Sequence, residues 1–256
     1  MKIFDTHAHY DDEQFNIDRD ELLNSMSANG VGYILNASAT LQSVDDSIAL
    51  AHKYDFVYAA IGIHPDEVGS LNEKSIAHVE SLLLDDRCVA VGEIGLDYHW
   101  NVEEKEIQKK WFIYQIEMAR KYNKPIIIHS RDASADTFNI LKEYASDLKV
   151  IVHCYSYSKE QALEYVKMGY LIGVGGVVTF KNAKKIKEVV EAIPIGNIVL
   201  ETDCPYLAPE PFRGKRNNSI YIHQIAEKVA ELKGMTKEEI IDITTQNALL
   251  FYNVGK

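Results

Sequence analysis

Cysteine is scarce in this chain, with three in 256 residues. Cys88, Cys154 and Cys204 are odd in number and lie inside or just after apolar runs. That excludes a disulfide framework and suits buried thiols in a reducing compartment. No apolar stretch approaches the roughly 20 residues of a membrane span. The first strand pattern starts at Ile3 and leaves no room before it for a signal peptide. A cytoplasmic location is therefore expected, with no membrane partner. Low-complexity tracts, Pro/Gly/Ser linkers and sequence-level repeats are missing, so a single domain over 1–256 is expected. Neither a glycine-rich nucleotide loop nor a Cys-x-x-Cys pair occurs. No nucleophile-elbow pattern supports a serine triad. An excess of positive charge is also missing: 27 basic residues face 38 acidic ones, a net charge of −11. Proteins that coat duplex DNA are usually basic, so extensive wrapping of a duplex is excluded. A small local site for a phosphate or a strand end is not, because bound cations reverse the local sign.

What is present is an alternation of short apolar runs and amphipathic stretches. The 46% hydrophobic content is ordinary for a globular protein. Strand patterns fall at Ile3–His9, Val31–Ala37, Val57–His64, Val89–Glu93, Pro125–His129, Val150–His153, Tyr170–Val174 and Ile198–Asp203. Helical patterns lie between them. Arg19–Ala28 has Leu22, Leu23 and Met26 on one side. Glu103–Tyr122 carries Ile107, Trp111, Tyr114 and Met118 at helical spacing, which predicts a core position for Trp111. Ser158–Lys167 and Asn182–Ala192 repeat the pattern, and Thr236-Lys237-Glu238-Glu239 reads as a capping box opening the last helix. Eight strands alternating with helices leave an open doubly wound sheet or a closed (β/α)8 TIM barrel. An open sheet gathers its ligand at one switch point. Here polar stations end strands one, four, five, six and eight, a spread that a closed ring explains better.

Those stations carry the chemistry. His7 and His9 are two apart, so an extended backbone projects them to one face together with Asp5. A lone His-x-His is a weak signal. Four further stations at strand ends strengthen it: Glu93, His129, His153 and Asp203. Glu93 interrupts Val89-Ala90-Val91-Gly92, where a carboxylate is costly unless paired or metal-bound, and it is placed to bridge two cations. His129 ends Pro125-Ile126-Ile127-Ile128 and His153 ends Val150-Ile151-Val152. Each alone is more often a satisfied core histidine; two together with Glu93 point to a divalent-metal site. Asp203 follows Ile198-Val199-Leu200-Glu201-Thr202 and can bind metal or take a proton from an attacking water. Arg131 can hold a phosphate oxygen with its planar fork, or pair with Asp132 or Asp97. Lys184, Lys185 and Lys187 read as a solvated helix face. Arg213, Lys215 and Arg216 flank Gly214 in a loop and read as substrate contacts. Trp100 either stacks on an unpaired base or seals its loop. His52, His78 and His223 fall in helical patterns away from the strand ends and read as structural.

These features together resemble the TatD family of metal-dependent deoxyribonucleases, within the amidohydrolase-like barrel superfamily. The resemblance is carried by Phe4-Asp5-Thr6-His7-Ala8-His9, Gly62-Ile63-His64-Pro65, Gly92-Glu93-Ile94-Gly95-Leu96-Asp97-Tyr98 and Ile128-His129-Ser130-Arg131-Asp132-Ala133. It continues through His153-Cys154, Gly175-Gly176-Val177-Val178-Thr179-Phe180-Lys181-Asn182, Glu201-Thr202-Asp203-Cys204-Pro205-Tyr206-Leu207, Gly214-Lys215-Arg216-Asn217 and Asn247. It runs from residue 3 to about residue 252.

The resemblance implies two divalent ions (Mg²⁺, Mn²⁺ or Zn²⁺) held by His7, His9, Glu93, His129, His153 and Asp203. It implies hydrolysis of phosphodiester bonds from a nucleic-acid end, as a 3′–5′ exonuclease on single-stranded or frayed DNA. Asp203, Glu93, His64 and Arg131 would be catalytic. Substrate contacts would come from His64, Arg131, Tyr206, Arg213, Lys215 and Arg216. The expected partner is a DNA or oligonucleotide end; the oligomeric state is not fixed and a monomer is compatible. Two positions depart from the family pattern. Tyr157 stands where a Gly is usual, and Ser219 stands where a Pro usually follows Asn217 by two. The alternative reading is an amidohydrolase-type enzyme acting on a small amide or lactone. Many such enzymes place a lysine on strand four, where this chain has Glu93.

Overall fold

The computed structural model describes residues 2–100 and 103–255. Among the described residues there are eight strands: β1 (Ile3–Ala8), β2 (Val31–Ala37), β3 (Val57–Ala60), β4 (Cys88–Asp97), β5 (Ile126–Arg131), β6 (Val150–Val152), β7 (Leu171–Val174) and β8 (Ile198–Leu200). Between and after them lie α1 (Arg19–Ser25), α2 (Ser43–Lys53), α3 (Glu73–Leu82), α4 (Lys105–Lys121), α5 (Ser134–Tyr144), α6 (Lys159–Lys167), α7 (Lys184–Ala192), α8 (Ile222–Lys233) and α9 (Lys237–Tyr252). The strands follow chain order in one eight-stranded sheet. Parallel strands in that order, each followed by a helix, make the fold the expected (β/α)8 barrel. Two compact units are distinguished, Met1–Asn36 with Cys154–Lys256, and Ala37–His153.

In the first unit β1 pairs in parallel with β2, and β7 with β8. The carboxyl ends of β1 and β8 are tied directly: Asp203 N donates to His7 O at 2.9 Å, and His9 N to Cys204 O at 2.8 Å. Phe4 anchors this unit's core, with its ring 5.5 Å from those of Tyr33 and Tyr252. The capping box read at Thr236 is formed. Glu239 N donates to Thr236 Oγ1 at 3.2 Å and Thr236 N to Glu239 Oε2 at 2.8 Å. Strand β8 stops at Leu200, short of the expected Asp203. The regular ladder is broken at Thr202, whose N–H donates to Asp5 Oδ1 at 2.9 Å, although Glu201 N and Asp203 N still reach Val174 O and His7 O. Asp203 itself takes a left-handed backbone with φ 56°.

In the second unit β4 pairs with β5 as far as Asp97 and Arg131, so β4 runs longer than the pattern ending at Glu93. Gly95 permits this, because a Cβ there would lie 1.9 Å from the His129 carbonyl oxygen. Strand β3 ends at Ala60, not at His64. Side chains replace the ladder beyond it: Gly62 N donates to Ser38 Oγ at 3.0 Å and Ile63 N to Gln115 Oε1 at 2.8 Å. Helix α4 also corrects a sequence reading. Its buried face carries Gln108, Phe112, Gln115, Ile116, Met118 and Ala119, so Met118 lies inside as expected, while Tyr114 is exposed and Trp111 only half-buried. The two glutamines sit inside because their amides satisfy backbone groups at strand ends. Gln115 brackets Ile63 N and O, and Gln108 brackets Asp97 N and O, at 2.8–3.1 Å. A hydropathy pattern counts them as polar and misplaces the helix by part of a turn.

Candidate active site

Three ligand atoms converge in the first unit. His7 Nε2 lies 3.1 Å from His9 Nε2. Asp203 Oδ1 lies 3.3 Å from His9 Nε2 and 3.8 Å from His7 Nε2. The first two come from the end of β1 and the third follows β8. A metal with ligand bonds near 2.0–2.1 Å sets its donors about 3.0–3.4 Å apart; two of the trio's three separations match such an edge and the His7–Asp203 one is longer. His7 is fully buried, whereas His9 and Asp203 reach the surface. Beneath them Asp5 is buried and gathers donors: Thr202 N at 2.9 Å, Thr202 Oγ1 at 2.6 Å, Ser219 Oγ at 2.5 Å and His7 N at 3.4 Å. Burial pushes its carboxyl up to about 7 against the pull of those donors. The alternation along β1 places Asp5 on the face of His7 and His9, but there it fastens β1 to the segment after β8.

The second unit holds a second cluster, centred on Glu93 Oε1. His129 Nδ1 lies 2.7 Å from that oxygen and His153 Nε2 2.9 Å from it. On its far side the His129 ring meets Asp97 through Nε2, at 3.0 Å. That contact holds the ring from behind and turns Nδ1 towards Glu93, an arrangement in which a carboxylate orients a histidine. Burial opposes ionisation of Asp97, but the bonds from His129, His99 N and Trp100 N hold its pKa down to about 2. Burial works to lower the His129 pKa as well, yet its bonds to Asp97 and Glu93 raise it above 6.5.

His64 also faces Glu93, with Nε2 3.9 Å from Oε1. Its Nδ1 accepts from Asp66 N at 3.2 Å, which leaves the proton on Nε2. Burial, reinforced by His129, drives the His64 pKa down to about 3, so the ring is neutral. A neutral imidazole with its N–H towards the cluster can donate a hydrogen bond there, and the ring also lies within a group that could hold a metal, with Glu93 and His129. Three of the six expected metal ligands are thus brought together in each unit: His7, His9 and Asp203 in one, and Glu93, His129 and His153 in the other.

The expected substrate contacts divide. Arg131 is exposed, with its guanidinium 5.3 Å from the Trp100 ring centre. Trp100 is itself 63% exposed, so it does not seal its loop. Tyr206 is half exposed; its hydroxyl donates to Asp12 Oδ2 at 2.7 Å and its ring centre lies 6.3 Å from that of His9. Arg213 and Lys215 are exposed, the former 4.3 Å above the Phe180 ring. Arg216 corrects its reading as a substrate contact. Its fork grips Asp18 at 2.8 and 2.5 Å, donates to Gln14 O at 2.6 Å and lies over Phe15. It is a clamp on the loop between β1 and α1. The signal was Asp18, nearly 200 positions away in sequence and invisible to spacing.

Comparison with known proteins completes the picture. The TatD-related DNase family matches residues 4–253. The chain belongs to this family. It is 45% identical over 254 residues to YabD of Bacillus subtilis (strain 168), named an uncharacterized metal-dependent hydrolase, with 99% of this chain and 100% of that protein covered. It is 36% identical to YcfH of Escherichia coli (strain K12), also named an uncharacterized metal-dependent hydrolase, over 98% of this chain and 96% of the relative. Among solved structures, the TatD homologue YjjV of Escherichia coli K12 superimposes with a TM-score of 0.93 at 31% identity, covering 99% of this chain and 98% of that one. The TatD-family chain is therefore a metal-dependent hydrolase, and it carries several clusters of histidine and carboxylate groups that could hold a metal ion. Among the described residues, no helix is long and apolar enough to cross a membrane.

Proposed function

We propose that this TatD-family protein is a metal-dependent deoxyribonuclease that removes nucleotides from the 3′ end of single-stranded or frayed DNA. Each cluster holds one divalent ion: His7, His9 and Asp203 the first, Glu93, His129 and His153 the second. In barrels of this class the catalytic residues come from the carboxyl ends of several strands; here His7 and His9 lie at the end of β1, His153 and Asp203 follow β6 and β8, and Glu93 and His129 lie in the second halves of β4 and β5. Bound divalent ions lower the pKa of water and offset charge on phosphoryl oxygens. Mg²⁺, Mn²⁺ and Zn²⁺ are all compatible with this mixture of imidazole and carboxylate.

The chain's own groups supply the rest. Asp203 is partly solvent-exposed at the end of its cluster and takes the proton from the attacking water. His64, neutral and with its N–H facing the cluster, donates to a phosphoryl or leaving-group oxygen. Arg131 presents five donors at the surface and steadies a non-bridging oxygen. Arg213 and Lys215, both exposed, draw a phosphate backbone towards an otherwise acidic protein. The observation that carries this reading is the donor set itself: four histidines and two carboxylates packed at ligand spacing, one carboxylate standing on strand four where lactone- and amide-cleaving barrels often carry lysine.

A single-stranded oligonucleotide labelled at its 5′ end tests it. Metal-loaded protein should yield a ladder that shortens stepwise from the 3′ end, and a chelator should stop it. Turnover of a lactone or amide panel with no oligonucleotide shortening would replace this reading by the amidohydrolase one.

A further inference from the structure

A cavity of about 330 Å³ opens within the first unit, lined by segments that follow β6 and β7. Its size is at the lower end for small-ligand pockets, about 300–1,000 Å³. Its walls include Tyr155, Val177 and Ile186, and Tyr155 and Ile186 are almost wholly buried. The rim is different in kind. Asn182, Lys184 and Lys185 stand there, all exposed. Lys187, two positions beyond Lys185, turns away and donates to Phe180 O at 2.6 Å. Lys184 and Lys185 open α7, whose first turn holds no acidic residue and whose N-cap, Ala183, offers no side chain to the backbone N–H groups. Lys184 N already donates to Asn182 O at 2.9 Å; the later first-turn N–H groups and two ammonium groups favour an anion at the mouth of an apolar slot.

One ligand chemistry uses both parts. An uncharged apolar molecule leaves the cationic rim idle, and a bare phosphate leaves the slot empty. A nucleotide has a flat, weakly polar ring for the walls and a phosphate for the rim. We propose that the cavity receives one nucleobase of the substrate strand, with its adjoining phosphate on Lys184, Lys185 and the start of α7. The proposal rests on the phosphodiesterase reading and names where the strand is held. The connection to the chemistry is short: Cys154, on the cavity wall, donates its N–H to Glu201 Oε1 at 2.5 Å, two residues before Asp203. The lysines that read as a plain solvated face from sequence therefore border a built pocket.

Equilibrium binding of deoxyadenosine 5′-monophosphate to the metal-free protein tests this without any turnover. Saturable binding is expected, with ribose 5-phosphate, which lacks the base, at least about tenfold weaker. Val177→Trp fills the slot and should weaken nucleotide binding about tenfold or more. The double variant Lys184→Glu/Lys185→Glu changes only exposed side chains and should do the same, so the test holds even if Val177→Trp folds poorly. In turnover, the oligonucleotide KM should rise relative to that for bis(4-nitrophenyl) phosphate. No binding by the wild type, equal binding of nucleotide and ribose 5-phosphate, or unchanged binding in the lysine double variant overturns the proposal. Failure of the phosphodiesterase reading shows separately, as absence of oligonucleotide hydrolysis.

Discussion

Ser219 Oγ donates a hydrogen bond to Asp5 Oδ2 at 2.5 Å, and both residues are fully buried. Ser219 also gives its backbone N–H to the Tyr10 hydroxyl at 3.0 Å and receives that hydroxyl's proton at 2.9 Å. Asp5 in turn holds Thr202 and the His7 backbone, so Ser219 lies beneath the cluster of His7, His9 and Asp203. Proline, usual here in the family pattern, can supply neither donor. Ser219→Ala should cost about 1–3 kcal/mol by leaving Asp5 and Tyr10 short of a partner. Ser219→Pro should cost more, because the N–H is lost as well. Denaturant midpoints check both; a Ser219→Pro protein as stable as the wild type contradicts this account of the network.

Asp97 Oδ2 lies 3.0 Å from His129 Nε2 and orients that ring. Asp97→Asn should therefore lower metal affinity by about 10–100-fold. The melting temperature of the metal-free protein should move much less. Titration calorimetry with Mn²⁺ or Zn²⁺ measures the first and calorimetric melting the second. Unchanged affinity would remove Asp97 from this role.

The strand positions were legible in the sequence, and the six candidate ligands could be picked out, because a carboxylate or imidazole ending an apolar run is locally visible. Three kinds of feature were not. Strand ends were misjudged where side chains replace the ladder, as Gln115 does at Ile63 and Asp5 at Thr202. The α4 face was misread because Gln108 and Gln115 are buried for their amides, which hydropathy cannot weigh. Arg216 looked free in its loop because its partner Asp18 is brought to it only by folding. Each is a long-range polar contact, and such contacts leave no periodicity along the chain.

Gln115 gives the next test. Its amide is the partner of both Ile63 N and Ile63 O. Gln115→Leu fits the volume but strands two buried backbone groups, at about 1–3 kcal/mol each. For a chain of this length each kcal/mol lowers the melting temperature by about 2–4 °C. A melting temperature equal to the wild type in Gln115→Leu would show that these bonds contribute nothing net.

Metal affinity should depend on pH through the ligand histidines. His129 has a pKa above the ordinary 6.5 in the metal-free protein, so protons compete for it at neutral pH. Its protonated form stabilises the metal-free fold below 6.5, and that contribution fades as pH rises through the raised value. A ligand imidazole must be neutral, so affinity should climb with pH up to that value and then level off, with protons released on binding. Calorimetry in buffers of different ionisation enthalpy measures the release. A flat affinity profile between about pH 5 and pH 8 would contradict His129 as a ligand.

Oligonucleotide shortening by the metal-loaded wild type, the chelated wild type and Glu93→Ala tests the metal-dependent phosphodiesterase most directly. Glu93 Oε1 is the atom on which His129 and His153 converge, so its removal should dismantle the second cluster. Nucleotide release is expected only from the metal-loaded wild type, with the circular dichroism of Glu93→Ala unchanged. Full nucleotide release by a folded Glu93→Ala protein would contradict the assignment.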